Sequence, residues 1–181
     1  MVLRLLAILC FVSLYGFAPG DDWRTRNYYK FRHPEVLLNP VKTGQTRIVD
    51  RPNGTNTIAV VKNDTASSIY HTAFLIGKSG NWFKVALFCD ADSELVGIGW
   101  IKNKELVVYS RNYRDFPLVL YSSPDDKSRK LKTVYDPYND LMDVESFSGL
   151  WLKVRIKIDG EEWIGWIPFE MQCANAVSTC S

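Results

Sequence analysis

The sequence predicts an all-β fold, built as two tandem small β-barrels. Short runs rich in Val, Ile, Tyr, Phe and Trp alternate with turn dipeptides, which is the pattern of many short antiparallel strands. No long amphipathic stripe of helical period competes with those runs. One set of motifs also occurs twice in the same order, and an internal repeat fixes architecture more firmly than a single motif does.

The N-terminus has the layout of a secretory signal peptide. Arg4 precedes the apolar run Leu5–Val12, and the small residues of Ala18–Gly20 follow. An uncleaved anchor or a buried helix is the alternative, but neither explains this order of charge, apolar run and small residues. We therefore predict a signal peptide over residues 1–20, cleaved near Gly20, and a secreted or periplasmic protein.

The remaining chain shows no second segment for a membrane or for a nucleic acid. No other run approaches the ~20 apolar residues of a spanning helix, which predicts no transmembrane anchor after cleavage. The net charge is only +2, and Lys and Arg gather locally only in Arg24–Arg32 and Lys127–Lys132. We interpret Arg24–Arg32 as a solvated extension that packs its tyrosines on a barrel, and we assign residues 21–45 to an N-terminal extension. We expect no nucleic-acid partner.

Four dipeptides mark tight turns between strands. Each supplies a residue that tolerates positive φ, as short hairpin connections require. They are Asn53-Gly54, Ser79-Gly80, Ser148-Gly149 and Asp159-Gly160. Their spacing predicts short antiparallel strands along most of the chain.

The repeated motif consists of a Trp-x-Lys-Val strand and a later Gly-Trp-Ile strand. It occurs as Trp82–Val85 with Gly99–Ile101, and again as Trp151–Val154 with Gly165–Ile167. Side chains alternate between the two faces of a strand, so Trp and Lys share one face and the intervening aliphatic or aromatic residue joins Val on the other. We expect the second face to be core. In each Gly-Trp-Ile strand, the tryptophan and the isoleucine point to opposite faces, so we expect one of the two to point outward.

The correspondence extends upstream of these strands. Ile48–Pro52 matches Leu120–Pro124, and Thr57–Lys62 matches Lys130–Tyr135. Each unit thus offers about five strands, a suitable number for a small partly open barrel. We predict one unit over residues 46–109, a second over 115–172, and a tail over 173–181.

Both units resemble the bacterial SH3-like domains. Units of that family run strand, proline-containing loop, strand, then a Gly-Trp-x-Lys-Val strand and a Gly-Trp-Val strand. The chain departs from this pattern where Asn81 or Leu150 separates the glycine from the first Trp, and where the turn after Val85 is longer than its counterpart. The resemblance implies two tandem SH3-like barrels that act as binding modules.

The implied function is that of a free-standing exported binding or adaptor protein for a peptide, a protein or a cell-wall glycopeptide. Aromatic rings supply large contact area at low conformational cost, although each ring also has a packing role as its alternative. The candidate ligand-binding residues are Trp82, Trp100, Trp151, Trp163, Trp166, Tyr135 and Tyr138. The sequence does not determine the oligomeric state.

Groups for catalysis are scarce. His71 and Cys89 form the one conceivable thiol pair, but Cys89 ends an apolar strand, where a buried inert thiol is the usual outcome. Asp90–Glu94 is an alternating acidic stretch that lacks the glycine and the distal glutamate of a calcium loop, which favours a solvated hairpin tip. We predict no enzyme, no cofactor and no metal site.

Three cysteines remain after signal cleavage, and an oxidising compartment permits a disulfide. We predict a bond between Cys173 and Cys180 that pins the C-terminal tail, with Cys89 free. A bond from Cys89 to either tail cysteine, which would join the two units, is the alternative.

Two further classes of function stay open. The barrels are alternatively a structural or inhibitory partner of another exported protein, recognised through an exposed strand edge. The second alternative is a cell-wall hydrolase with an unrecognised carboxylate site.

Overall fold

The computed structural model describes residues 22–111, 116–135 and 141–176. This part of the chain confirms the predicted all-β class, with one helix and thirteen strands in an antiparallel sheet. The helix α1 spans Asp22–Lys30, and the strands are β1 Glu35–Leu38, β2 Thr46–Val49, β3 Thr57–Val61, β4 His71–Ser79, β5 Trp82–Cys89, β6 Leu95–Lys102, β7 Leu106–Ser110, β8 Leu118–Tyr121, β9 Lys130–Val134, β10 Leu141–Ser148, β11 Trp151–Ile158, β12 Glu161–Ile167 and β13 Gln172–Cys173. Two 3-10 turns, Asn103–Glu105 and Phe169–Met171, precede β7 and β13.

The predicted signal peptide lies outside the described residues. In the described part, the single α-helix is too short and too polar to cross a bilayer.

The order of strands in the sheet has an internal symmetry. It runs β3-β2-β6-β5-β4-β1-β7-β10-β11-β12-β8-β9, and β13 pairs with β7 beyond this path. The five strands on one side of the β1–β7 pair follow the same neighbour pattern as the five on the other side. The path starts at β3 and ends at β9, so the strands form one continuous open sheet.

The repeat seen in the sequence recurs in the pairing register. On one side the partners are Lys84 with Trp100 and Val85 with Gly99; on the other they are Lys153 with Trp166 and Val154 with Gly165. The corresponding tryptophans also have matching partners on the next strand: Trp100 pairs with Val49 of β2, and Trp166 pairs with Tyr121 of β8. The two halves therefore share hydrogen-bond geometry as well as sequence motifs.

The two faces of the motif strands have the predicted roles. Phe83 and Val85 are fully buried, whereas Trp82 is half-buried and Lys84 exposed. The second unit repeats this alternation, with Leu152 and Val154 in the core. Because successive strand residues point to opposite faces, each motif places one side of its strand in the core and the other toward solvent.

The predicted turns contain residues of positive φ. Gly80 has φ 54° between β4 and β5, and Gly149 has φ 56° at the matching place between β10 and β11. Asn53 adopts φ 58° in the β2–β3 loop, while the β11–β12 turn uses Asp159 and Gly160. Glycine and asparagine tolerate this region at low steric cost, which explains their use here.

The predicted N-terminal extension, residues 21–45, contributes a strand to the sheet that the sequence did not indicate. Strand β1 fills the space between β4 and β7, with Val36 and Leu37 fully buried. A four-residue strand gives too short a periodic signal to stand out in the sequence. The strand is buried because one of its edges pairs with β4 and the other with β7, and only the tertiary structure shows this pairing.

The core runs across the two halves without interruption. Buried residues of both sides belong to one hydrophobic cluster, which the rings of Phe83 and Phe147 join at 6.0 Å between centroids. Near this contact, Lys78 Nζ donates a 2.7 Å hydrogen bond to the Glu145 carbonyl oxygen. The two halves are thereby held in a fixed relation.

Candidate functional site

Two surface cavities lie at corresponding places in the two halves. The first groove has a volume of about 460 Å³ and is lined by Gln45, Thr46, Arg47, Val49, Asn53, Gly54, Trp82, Lys102, Lys104 and Glu105. The second groove has a volume of about 610 Å³ and is lined by Pro124, Asp125, Asp126, Leu150, Trp151, Pro168, Phe169 and Glu170. Both grooves share the loop after the repeated proline, the first motif tryptophan and the 3-10 turn. The first groove has a further wall formed by β2 and the residue before it.

Trp82 is held in place in the first groove by polar contacts on its ring. Its Nε1 donates a 3.3 Å hydrogen bond to Oδ1 of Asn53 across the groove. The Lys102 ammonium lies 5.5 Å from the ring centroid, within range of a cation–π interaction. The indole therefore presents a fixed, half-exposed surface.

The loop that forms one lip of the first groove is tied internally. Gly54 N donates to Arg51 O at 2.9 Å, and Arg47 Nη2 donates to Thr55 O at 3.2 Å. Arg47 Nε also donates to Thr57 Oγ1 at 3.1 Å. These bonds orient the guanidinium and limit the ordering that a ligand would require.

Trp151 occupies the matching position in the second groove but is held differently. Its ring lies edge-on to Tyr121, with centroids 5.5 Å apart and planes at 87°. Edge-to-face geometry is favourable for aromatic rings. The indole is half-exposed, like that of Trp82.

The first groove is lined by uncompensated positive charge. Three of its lining residues are cations, namely Arg47, Lys102 and Lys104, and all are exposed. The one lining carboxylate, Glu105, already forms an ion pair with Lys42 at 3.2 Å. Within the ranges that the structure describes, none of the three cations forms an ion pair with a carboxylate.

The second groove has the opposite charge. Its lining carries the carboxylates of Asp125, Asp126 and Glu170 and no cation. With the repeated Gly-Trp-Ile strands aligned, Glu170 corresponds to Lys104. Two grooves of the same construction therefore differ in electrostatics.

The other predicted tryptophans do not line either groove. Trp100 and Trp166 are half-buried on the outer face, opposite Lys84 and Lys153. Trp163 packs against the core cluster, with the Lys132 ammonium 5.1 Å from its ring.

The predicted tyrosines also stand apart from the grooves. Tyr135 is highly exposed and lines neither cavity, while Tyr138 lies outside the described residues. Two of the seven predicted aromatics therefore line a groove, Trp82 the first and Trp151 the second. The other lining residues were not singled out by the motifs. Lys102 follows Gly-Trp-Ile directly and Lys104 lies two residues further on, but a surface lysine carries no local mark of the groove that it lines.

His71 has a structural environment. It pairs with Cys89 across β4 and β5, and its Nδ1 lies 3.1 Å from Oδ1 of Asn63. Burial lowers the pKa of His71 below its ordinary value of 6.5, against the opposing effect of the Asp90 and Asp92 charges. In the described residues no hydrogen bond joins this imidazole to the Cys89 thiol.

The described cysteines separate the two disulfide hypotheses. Cys89 is a free, half-buried thiol, which makes the alternative bond from Cys89 to the tail wrong. Cys173 is buried on β13, and Cys180 lies outside the described residues. The bond between Cys173 and Cys180 stays a prediction.

A cluster around Arg26 anchors α1 to the sheet. Arg26 Nη2 donates to Glu35 Oε1 at 2.9 Å, Thr72 Oγ1 at 2.9 Å and Asp90 Oδ1 at 3.0 Å. Desolvation lowers the pKa of Arg26, but the hydrogen bond to Glu35 and the charges of Glu35 and Asp90 outweigh it and raise that pKa. Asp90 begins the acidic hairpin tip, and no group of three potential metal ligands occurs among the residues described.

Among known proteins, the chain has weak similarity to two solved structures. No protein-family model matches the chain, and no curated protein does. It is similar to a structure of NlpC2 from Trichomonas vaginalis, with 14% identity and a TM-score of 0.31 over 78% of this chain and 47% of that one. A second similar structure, an NlpC/P60 family protein from Bacillus cereus, has 15% identity and a TM-score of 0.26 over 76% of this chain and 55% of that one.

The chain thus spans about half the length of each of these structures. At such low TM-scores the two likenesses do not define a shared fold.

Proposed function

We propose that this protein is an exported, non-catalytic binding or adaptor protein. Each half forms an SH3-like barrel, and each barrel holds an extended peptide or cell-wall glycopeptide in its groove. The observation that carries this proposal is the occurrence of matching grooves beside Trp82 and Trp151. A cleft with a fixed aromatic surface and a few polar groups is the usual form of a binding site.

The assignment to SH3-like barrels is supported by the order of elements in each half. Five strands with the same neighbours are followed by a 3-10 turn and a last strand, first Asn103–Glu105 with β7 and then Phe169–Met171 with β13. The bulges in β2 and β8 fall at corresponding places, before Val49 and before Tyr121. Bulges bend and twist strands, as the tight curvature of a small barrel requires.

The groove geometry supports the binding of an extended chain. Trp82 and Trp151 are restrained by neighbouring groups yet keep half-exposed rings, so a ligand gains stacking area without ordering them. Two grooves on one continuous sheet also offer two contacts to a repeating polymer. Such bivalent binding exceeds the affinity of either groove alone.

Cosedimentation with purified peptidoglycan tests this function. We expect the full chain to sediment with the polymer, Trp82→Ala and Trp151→Ala each to weaken binding, and the double variant to lose it. Tyr135→Ala is the matched control, because this aromatic is exposed but lines neither groove. Unchanged binding by the double variant, or hydrolysis of the polymer by the purified chain, would contradict the proposal.

A second candidate function is that of a partner for another exported protein. Strand β3 lies at one end of the sheet, and its Ile58 and Val60 are about half-exposed. An unprotected end strand offers hydrogen-bonding groups to a strand of another chain. Affinity capture from the native envelope tests this: a protein partner captured by the full chain and lost with Val60→Lys favours this candidate, whereas capture unaffected by that change excludes the edge.

A further inference from the structure

We infer that the first groove selects ligands that carry carboxylate groups, such as extended acidic peptides, and that its counterpart in the second half does not. This inference rests on the proposed binding function and deepens it by naming the ligand chemistry of one groove.

The first step is the supply of positive charge that no carboxylate among the described residues neutralises. Lys102 directly precedes the 3-10 turn Asn103–Glu105 and Lys104 lies within it, while Arg47 on β2 lines another side of the groove. Glu105 does not offset them, because its carboxylate is paired with Lys42, whose Nζ lies 3.2 Å from Oε2. Arg47 keeps hydrogen bonds to Thr55 and Thr57, and Lys102 lies over the Trp82 ring, but among the described residues none of the three cations is paired with a carboxylate. A ligand carboxylate can therefore form charge-assisted hydrogen bonds with them without breaking an ion pair.

The second step is the placement of those charges around a concave apolar surface. Charges of one sign in a cleft reinforce one another and concentrate ions of opposite sign there. The Trp82 ring lies between the Asn53 amide and the Lys102 ammonium. An extended ligand that stacks on this ring places its acidic side chains beside the cations.

The third step is the comparison that the repeat itself supplies. Lys104 corresponds to Glu170, and with Pro52 aligned to Pro124 the uncharged Gly54 corresponds to Asp126. The second groove keeps the tryptophan, the loop after the proline and the 3-10 turn, but it has no lining residue from β8 in place of Arg47, and its charge is reversed. The charged residues of a groove, and not the elements that the two grooves share, should therefore determine whether it selects carboxylates.

The test uses the hexapeptides (Gly-Glu)3 and (Gly-Gln)3, which differ in charge but hardly in shape. Each is titrated into the full chain, and the indole N–H resonances of Trp82 and Trp151 are followed by NMR. We expect (Gly-Glu)3 to shift Trp82 with an affinity about fivefold or more above that of (Gly-Gln)3. Trp151 should show no such preference.

Substitutions locate the effect. Lys104→Glu should reduce the affinity of Trp82 for (Gly-Glu)3 to that for (Gly-Gln)3, with an unliganded spectrum that shows an intact fold. Lys130→Glu makes the same change in net charge on exposed β9, away from the groove, and should leave the affinity unchanged. Inorganic phosphate at equal ionic strength should not compete.

The contrary results are distinct. Equal affinity of Trp82 for both peptides would overturn carboxylate selection while leaving groove binding intact. A fall with Lys130→Glu as large as with Lys104→Glu would show a general charge effect, and competition by phosphate a general anion site; either overturns the inference. If neither peptide shifts Trp82, the inference fails, and peptidoglycan cosedimentation separately decides the proposed function.

Discussion

Gly99 and Ile48 are packed so closely that no side chain fits between them. A Cβ built on Gly99 would lie 2.5 Å from Cγ2 of Ile48 and 2.8 Å from the Val49 carbonyl oxygen. The matching Gly165 would place a Cβ 2.8 Å from Cβ of Leu120. The glycine of each Gly-Trp-Ile motif thus permits the close approach of the neighbouring strand, β2 to Gly99 and β8 to Gly165.

Gly99→Ala should therefore destabilise the protein. The added methyl group meets backbone as well as a side chain, so we expect a loss of about 1–3 kcal/mol in the free energy of unfolding, measured with urea. Gly97→Ala on the same strand is the control, because its Cβ would meet Ile58 Cγ2 at an ordinary 3.4 Å. Equal effects of the two changes would contradict this explanation of the motif glycine.

The shared core predicts that the two halves unfold together. Phe83 of one half packs on Phe147 of the other, and buried residues of both belong to one cluster. Calorimetry should show a single transition, which Phe147→Ala lowers in temperature because the contact and the packing are lost. Two separate transitions in the unaltered protein would mean that the halves are independent.

Arg26→Ala should release α1 from the sheet. Arg26 joins Glu35 to Asp90, so its loss leaves two neighbouring carboxylates unpaired; we expect a cost of about 1–3 kcal/mol in urea unfolding. Arg155→Ala is the comparison, since Arg155 also binds two carboxylates, Glu145 and Glu162, but is more exposed. A larger effect at Arg155 would argue against an anchoring role for Arg26.

His71 should make the protein less stable in mild acid. Burial depresses its pKa in the folded state below 6.5, so the unfolded chain binds the proton more readily. The stability contribution is therefore complete above about pH 6.5 and falls as the pH drops toward the folded pKa. His71→Gln should flatten the pH dependence of the urea midpoint in this window; an unchanged slope would exclude His71 as its source.

Thiol labelling tests the cysteine assignment. Cys89 is free and half-buried, so iodoacetamide should modify it in the unfolded oxidised chain. The predicted bond between Cys173 and Cys180 should protect both until a reductant is added. Mass spectrometry that finds the tail cysteines labelled without reductant would disprove that bond.

Only the two tryptophans of the candidate site were predictable from sequence, and the reason lies in what a motif encodes. Trp82 and Trp151 stand out because they begin a repeated strand. Their groove neighbours Asn53 and Lys102 are distant in sequence from Trp82, and an ordinary turn residue or surface lysine carries no local mark of its partner. Trp163 was equally prominent in sequence, yet it packs on the core.

The sequence alone determined the class of fold, the repeat and the inward face of each motif strand, because strand alternation and turn conformation are local properties. The tertiary structure decided the rest. It alone placed β1 between β4 and β7 in one continuous sheet, because pairing between distant strands depends on which edges remain open. It alone also brought Lys102 and Lys104 beside Trp82, since a groove is formed by segments that meet only when the chain is folded.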